Sequence, residues 1–419
     1  MKILFIHSAY ASQFYHLIRH LMRTGGYEVT FLSSMEDKLG HRLSLGESGR
    51  PIEGVRNVHF RYRSGLKHKG ALSIQRFADE TFQGKAVYDA CKRLQSEGYR
   101  PDIIVCHGRW GAGLFVKDAY PDVPLLLYSE FFSTAANAKA CLAPGQSLPA
   151  DSEVFYRLAN ACNLISLDAA DHVVTPTAFQ KQSHPAAHHA KISVIFDGVD
   201  AERLVPQEVR EISVSGRTIT ADEEIVTYVT RNFEPYRGFE TFMRSAEILL
   251  RERPKARVLI GGGCENKSYG GGEAGEPYRK RVLSELSLDR SRVQFLGPLT
   301  YAQYVHLLRF SQVHVYLTVP FVLSWSLIEA MSLGCAIVGS RTAPVEEVME
   351  HGKNGLLADL LAPQDVAEQV AKLLGNPKLR SRLGQAARKT VLDRYATDKI
   401  APQYVRLFAR MVKKAGARA

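Results

Sequence analysis

No stretch of the 419 residues is apolar for long enough to cross a bilayer, which takes about 20 residues as a helix. The opening MKILFIHS holds too short an apolar run for the core of a signal peptide and reads as a first strand. Six cysteines stand at 91, 106, 141, 162, 264 and 335, and none forms a CxxC pair. A zinc site or dithiol redox motif is therefore not indicated, and without an export signal the thiols are expected to be reduced. The first strand runs into HSAYASQF, with no GxGxxG, which argues against a nicotinamide or flavin oxidoreductase. GGGCENKSYGGGEAGE at 261–276 misses a P-loop, because Asn266 stands where the second glycine must curl the backbone around phosphate. That segment reads instead as a loop that closes over a ligand. Nothing resembles a nucleic-acid module.

What is present is a globular composition, 45% hydrophobic and 23% charged, long enough for two domains. The net charge is +11 and the pI is near 9.3. Such a balance fits an anionic partner, either a phosphorylated ligand or a membrane, and equally a merely basic soluble surface. Basic clusters stand at 61–69 and 410–418.

Short apolar runs recur at 3–6, 29–32, 103–106, 125–128, 172–175 and 192–195, then at 225–229, 257–260, 293–296, 313–317 and 335–339. Continuous apolar strands alternating with amphipathic helices predict α/β architecture with parallel sheets covered on both faces. In the first helix Phe14, Leu17, Ile18, Leu21 and Met22 share a face, and Gly25-Gly26 ends it. The alternation breaks once, at 200–224, where SGRTITADEE suggests a small hairpin. The expected division is a Rossmann-like domain at 1–200, a hinge at 201–221 and a second Rossmann-like domain at 222–395. At 396–419 a helix crosses back to the first domain, with Ile400, Tyr404, Leu407, Phe408 and Met411 on one side.

In open α/β sheets ligands bind beyond the carboxyl ends of the strands, so residues just after strands are the candidates. Arg231 and Arg237 flank a short turn in TRNFEPYRGF. Two guanidiniums there can grip a diphosphate, each with a planar fork of donors. His107 sits at a strand end, from which it either reaches a sugar hydroxyl or is structural. Glu130 closes the next strand in the same way. His184, His188 and His189 lack the pattern of a metal site and read as a surface loop. In PFVLSWSLIEAMSLG at 320–334, Ser324 caps a helix, and the amides of Leu323, Ser324 and Trp325 are expected to point outward as a phosphate site. Glu329 follows inside the helix, where its carboxylate can accept two vicinal hydroxyls, as on a ribose.

Taken together, RNFEPYRGF, VIFDGVD, FLG, SLIEAMSLGCAIVGS and HGKNGLL resemble glycosyltransferase family 4, the retaining nucleotide-sugar enzymes of GT-B fold. The resemblance covers almost the whole chain. It implies two Rossmann-like domains facing a central cleft and transfer of a sugar from a nucleotide diphosphate donor to a hydroxyl of a glycan, lipid-linked glycan or protein. It implies that Arg231 and Arg237 neutralise the leaving diphosphate without a metal or other cofactor, and that His107 lies near the donor sugar. Glu329 matches the second glutamate of the family's E-x7-E motif, and Leu323, Ser324 and Trp325 match its phosphate turn. Glu130 and Gly262 join the expected donor-binding set. Phe321 joins it at the sugar end, where most of the family has the first glutamate, and no acid lies between Tyr301 and Ile328 to replace it. The arginines are also one residue further apart than the family's usual arginine-to-lysine pair, and the first loop has no glycine. The departure at Phe321 keeps a non-catalytic GT-B subunit that binds or scaffolds an active transferase as the alternative. An epimerase or hydrolase on the same fold is a third reading. The expected location is cytoplasmic, with peripheral contact to an anionic membrane through the basic clusters, and no nucleic-acid partner.

Overall fold

The computed structural model describes residues 1–34, 51–62, 72–142, 146–214, 216–265, 269 and 273–417. The chain divides into two compact units. Residues 1–139, 146–198 and 397–419 form the first, and 140–145 with 199–396 form the second.

The first unit is built on strands β1 (Lys2–Ile6), β2 (Glu28–Ser34), β3 (Arg56–Phe60), β4 (Ile103–His107), β5 (Leu125–Tyr128), β6 (His172–Thr175) and β7 (Ile192–Val194). They form one parallel sheet in the order β3-β2-β1-β4-β5-β6-β7. The central strands β4 and β5 are buried at every position, which is why they read as unbroken apolar runs. β3 was not expected, because RNVHF is a half-exposed edge strand with no apolar run. The first helix spans Tyr15–Thr24 and buries Leu17, Ile18 and Leu21. Gly25 ends it at φ 77°, donating its N–H to Leu21 O at 3.1 Å. The final helix, Thr397–Gly416, buries Ile400, Tyr404, Leu407, Phe408 and Met411 and packs against that first helix. His184 corrects the surface-loop reading. It is 3% exposed, and its Nε2 lies 2.7 Å from Ser129 Oγ.

The second unit opens with the antiparallel hairpin β8 (Glu211–Val214) and β9 (Arg217–Thr220). The stretch read as a hinge thus carries the expected hairpin. Ile219 is buried in a small cluster with Ile225, Leu259, Leu307 and Phe310, so the hairpin is packed onto the second unit. Strands β10 (Glu224–Asn232), β11 (Ala256–Gly263), β12 (Val293–Gly297), β13 (Val313–Tyr316), β14 (Ile337–Ser340) and β15 (Leu356–Ala358) form a parallel sheet in the order β12-β11-β10-β13-β14-β15. β15 also escaped expectation, being three residues long. HGKNG before it is a tight turn, in which His351 Nδ1 accepts the Leu357 amide at 3.0 Å and Asn354 Oδ1 accepts the Glu350 amide at 2.7 Å.

In each sheet the order reverses direction between two central strands, β1 and β4 in the first and β10 and β13 in the second. Chain leaving neighbouring strands there departs to opposite faces, which opens a crevice at the carboxyl ends.

Candidate functional site

In the second unit the expected residues gather at that switch point. The pairing of β10 with β11 is irregular between Val229 and Asn232, where Thr230 and Arg231 lie. Such an irregularity re-aims a side chain. Gly262 on β11 accommodates it: a Cβ there would meet Thr230 O at 2.8 Å and the Phe233 ring at 2.8 Å. Gly262 is therefore a close-packing position beneath the loop that carries Arg231.

Arg237 ends the turn Pro235–Arg237, and Gly238 follows at φ 65°, the left-handed region glycine tolerates. Arg237 donates from one Nη to Thr318 Oγ1 at 3.0 Å and to the Val322 carbonyl at 3.4 Å. The Val319 amide donates to Tyr236 O at 3.0 Å. The β10 turn and the 318–322 segment after β13 are thus stitched together. Tyr269 completes the group: the Arg231 guanidinium lies 5.0 Å from its ring centroid and that of Arg237 lies 5.5 Å from it. Two cations share one aromatic platform, an attraction to the ring's negative faces. The Tyr269 amide donates to Glu234 Oε2 at 2.7 Å, and Glu234 is buried.

Phe321 lies against Tyr236 (centroids 5.4 Å apart) and Tyr269 (5.5 Å). Leu323 is buried. Ser324 caps the helix Trp325–Ser332, accepting the Ser326 amide at 3.3 Å. Its own amide does not point outward as expected, because it donates to Tyr316 Oη at 3.0 Å. Trp325 opens the helix, partly exposed. Glu329 is 8% exposed and accepts from Tyr301 Oη at 2.9 Å. Burial raises its carboxyl above the usual 4.5, while the hydrogen bonds from Tyr301 and Tyr304 work the other way.

In the first unit His107 does not reach into open space. It is 0% exposed, stacked at 15° and 5.1 Å beneath the Trp110 indole and edge-on to His7 at 4.4 Å. Burial first, then the neighbouring His7 and Arg109, push it well below 6.5, so it is neutral at physiological pH. Its Nδ1 accepts the Arg109 amide at 3.3 Å, which leaves the proton on Nε2. That Nε2 is 3.9 Å from Glu130 Oε2, and within the described residues it has no hydrogen-bond partner. Glu130 accepts from Gln13 Nε2 at 2.7 Å, and burial raises its carboxyl. Trp110 holds a left-handed backbone, φ 61° and ψ 23°. Among the described residues no group of three or more His, Cys, Asp and Glu side chains is placed to hold a metal.

Tyr269, Thr318, Tyr301 and Trp110 were not anticipated. Each meets its partner across a long sequence separation, apart from Trp110, whose only local signal is an aromatic in the HGRWG turn.

A model described as the glycosyl transferase family 4 group matches residues 26–204, and one described as glycosyl transferases group 1 matches residues 210–390. Both halves of the chain thus match glycosyl transferase models. The chain is 28% identical over 236 residues to a D-inositol 3-phosphate glycosyltransferase of Corynebacterium glutamicum, covering 54% of each. It is 25% identical over 217 residues to an N-acetyl-alpha-D-glucosaminyl L-malate synthase of Bacillus anthracis, 52% of this chain and 53% of that one. The chain thus matches about half the length of these curated relatives. Among solved structures it is similar to sucrose-phosphate synthase from Thermosynechococcus elongatus (TM-score 0.70, 17% identity, 99% of this chain and 100% of that chain). It is also similar to Anabaena HepE in complex with UDP (TM-score 0.64, 15% identity, 98% and 100%). The fold is GT-B, two Rossmann-like α/β units. Among the described residues no helix is long and apolar enough to cross a membrane.

Proposed function

We propose that the protein transfers a sugar from a nucleotide diphosphate sugar to a hydroxyl acceptor, with retention at the anomeric carbon. The observation that carries this is the pair Arg231 and Arg237 on one Tyr269 ring, with Arg237 bonded into the turn that leads to the capped helix Trp325–Ser332. Two cations and a helix N-terminus form an anion grip at the switch point of the sheet. Support also comes from HepE, whose solved structures contain UDP and UDP-glucose.

In this reading the diphosphate rests between the arginines and the helix start, and Glu329 accepts ribose hydroxyls. The C1–O bond to the diphosphate breaks and its electron pair leaves with the phosphate oxygen. The acceptor oxygen forms the new C1–O bond on the same face and gives its proton to the departing diphosphate. The arginines stabilise the charge that develops there, so no metal is needed and chelation with EDTA should leave the rate unchanged. His107 acts in its neutral form. The acceptor is a glycan, lipid-linked glycan or protein, and the basic residues of the final helix suit peripheral contact with anionic lipid.

Calorimetry with UDP, GDP, ADP and dTDP, followed by product analysis with the matching sugars, is the test. Arg237→Ala should lower turnover by about 10²–10³-fold, as for a lost preorganised donor, with the fold intact. Near-normal transfer by that variant would falsify the assignment. The second reading, a non-catalytic partner of an active transferase, is favoured by the missing acid at 321; nucleotide binding with no transfer to any acceptor would support it.

A further inference from the structure

Among the described residues, two other than glycine hold a left-handed backbone, Ser12 at φ 43° and Trp110 at φ 61°. Both lie in the first unit, on the loops that follow β1 and β4, the two strands between which its sheet order reverses. A bulky side chain rarely accepts that conformation, and backbone strain of this kind gathers where a site is preorganised. Trp110 is held in it from below. A Cβ at Gly111 would meet Glu80 O at 1.9 Å, and one at Gly84 would meet Gly111 O at 2.7 Å, so the turn is pressed onto the helix Leu72–Ser96. His107 stacks on the indole, and His7 stands edge-on to it at 5.8 Å. Yet Trp110 is 42% exposed, although the histidine stacked on it is 0% exposed. One face of the indole is thus built into the fold, and the strained turn holds the other toward solvent.

The border of this stack is polar. Ser12 Oγ donates to Gln13 Oε1, Gln13 Nε2 donates to Glu130 Oε1 at 2.7 Å, and Glu130 Oε2 lies 3.9 Å from His107 Nε2. Gln13 and Glu130 are both partly exposed. A flat ring bordered by an amide and a carboxylate suits a sugar. The C–H hydrogens on one side of a pyranose carry a slight positive charge and lie against the negative face of the indole, while its hydroxyls stay at the polar border. A phenol would bring one hydroxyl to that border, and an extended peptide would bring no flat face to the ring.

We propose that Trp110 is the platform for a carbohydrate acceptor: the hydroxyl that receives the transferred sugar belongs to a sugar ring whose C–H face covers the exposed indole. This rests on the transferase reading above, in which the diphosphate grip occupies the switch point of the second unit and the crevice of the first is left to the acceptor.

The test uses the full chain. Trp110 and Trp325 are its two tryptophans, so Trp325→Phe leaves Trp110 as the single fluorescent indole. Methyl glycosides of glucose, galactose, mannose and N-acetylglucosamine are the probes, with tyrosine amide and a serine-threonine peptide as controls. At least one glycoside should change the Trp110 emission saturably, and the controls should not. In transfer assays Trp110→Ala should raise the KM for that glycoside by about 10- to 100-fold, the loss expected when a large apolar contact is removed. Trp110→Phe should recover part of it, and the calorimetric affinity for nucleotide diphosphates should stay the same in both variants. If no glycoside changes the emission, or if Trp110→Ala keeps the wild-type KM, the inference is wrong while the nucleotide site stands. A response to tyrosine amide or the peptide alone would also overturn it. If glycosides change the emission but no nucleotide diphosphate binds, the transferase reading fails and the platform stands as a carbohydrate site.

Discussion

Tyr269 is the residue on which the proposed anion grip turns, since its ring lies within 5.5 Å of two guanidiniums. Like charges brought together repel, and the ring face offsets part of that repulsion. Tyr269→Leu removes about 0.5–1 kcal/mol per exposed cation–π contact, so nucleotide diphosphate affinity should fall several-fold. Unchanged affinity in calorimetry would mean that Arg237 is held by Thr318 and Val322 without the ring. Glu329 presents a different balance. Burial lifts its carboxyl above 4.5, so the folded chain holds a proton that a free glutamate would have lost. The charged form that the proposed ribose contact needs is therefore lost at a higher pH than usual. Nucleotide affinity should decline on acidification beginning above pH 4.5, and Glu329→Gln should bind more weakly with that decline removed. An identical pH profile in the variant would separate Glu329 from the ribose.

The switch-point strands show how backbone detail serves the side chains. The irregular pairing in β10 requires β11 to come close, and Gly262 supplies the room. Gly262→Ala places a methyl 2.8 Å from a backbone carbonyl and 2.8 Å from the Phe233 ring. Overpacking of this kind costs about 1–3 kcal/mol, and the urea midpoint should drop accordingly. An unaltered midpoint would show that the loop yields freely. The helix Tyr301–Phe310 offers a second local test, at its cap. Thr300 and Gln303 form a capping box, and Thr300→Ala should cost about 1 kcal/mol. Most strands legible in the chain are buried on both faces, because continuous burial leaves a continuous apolar run, although half-buried β12 and β7 were legible too. β3 and β15 were not, since an exposed edge and a three-residue strand leave none.

Across the molecule, buried histidines couple stability to pH. Burial pulls His184 in the first unit and His314 in the second down to about 4. Both stay neutral when folded, while the unfolded chain takes up a proton on each below about 6.5. The unfolded state then binds more protons, so stability falls as pH drops from about 6.5 to about 4 and is indifferent to these groups above that window. By the low end each is worth up to roughly 3 kcal/mol. His184→Gln will lower the urea midpoint at pH 7.5, and its deficit against the wild type should shrink steadily toward pH 4.5. A deficit that stays constant would mean that His184 titrates normally.

Apolar runs and amphipathic periods are local properties of the chain, and they carried the α/β architecture and the first and last helices, while the hairpin was read from the polar SGRTITADEE stretch where that alternation breaks. The motifs carried the resemblance to glycosyltransferase family 4 and pointed to Arg231, Arg237 and Ser324 at strand and helix ends, and to Glu329 one turn into the helix Trp325–Ser332. The contacts of those groups come from packing between segments far apart in the chain. Tyr269 meets Arg231 and Arg237, Tyr301 meets Glu329, and Tyr316 takes the Ser324 amide that was expected to face a phosphate. The burial of His107 beneath Trp110 was equally unreadable, since a strand-end histidine faces in or out according to what folds over it. Periodicity records which face of an element is covered, and folding alone selects the distant side chain that covers it.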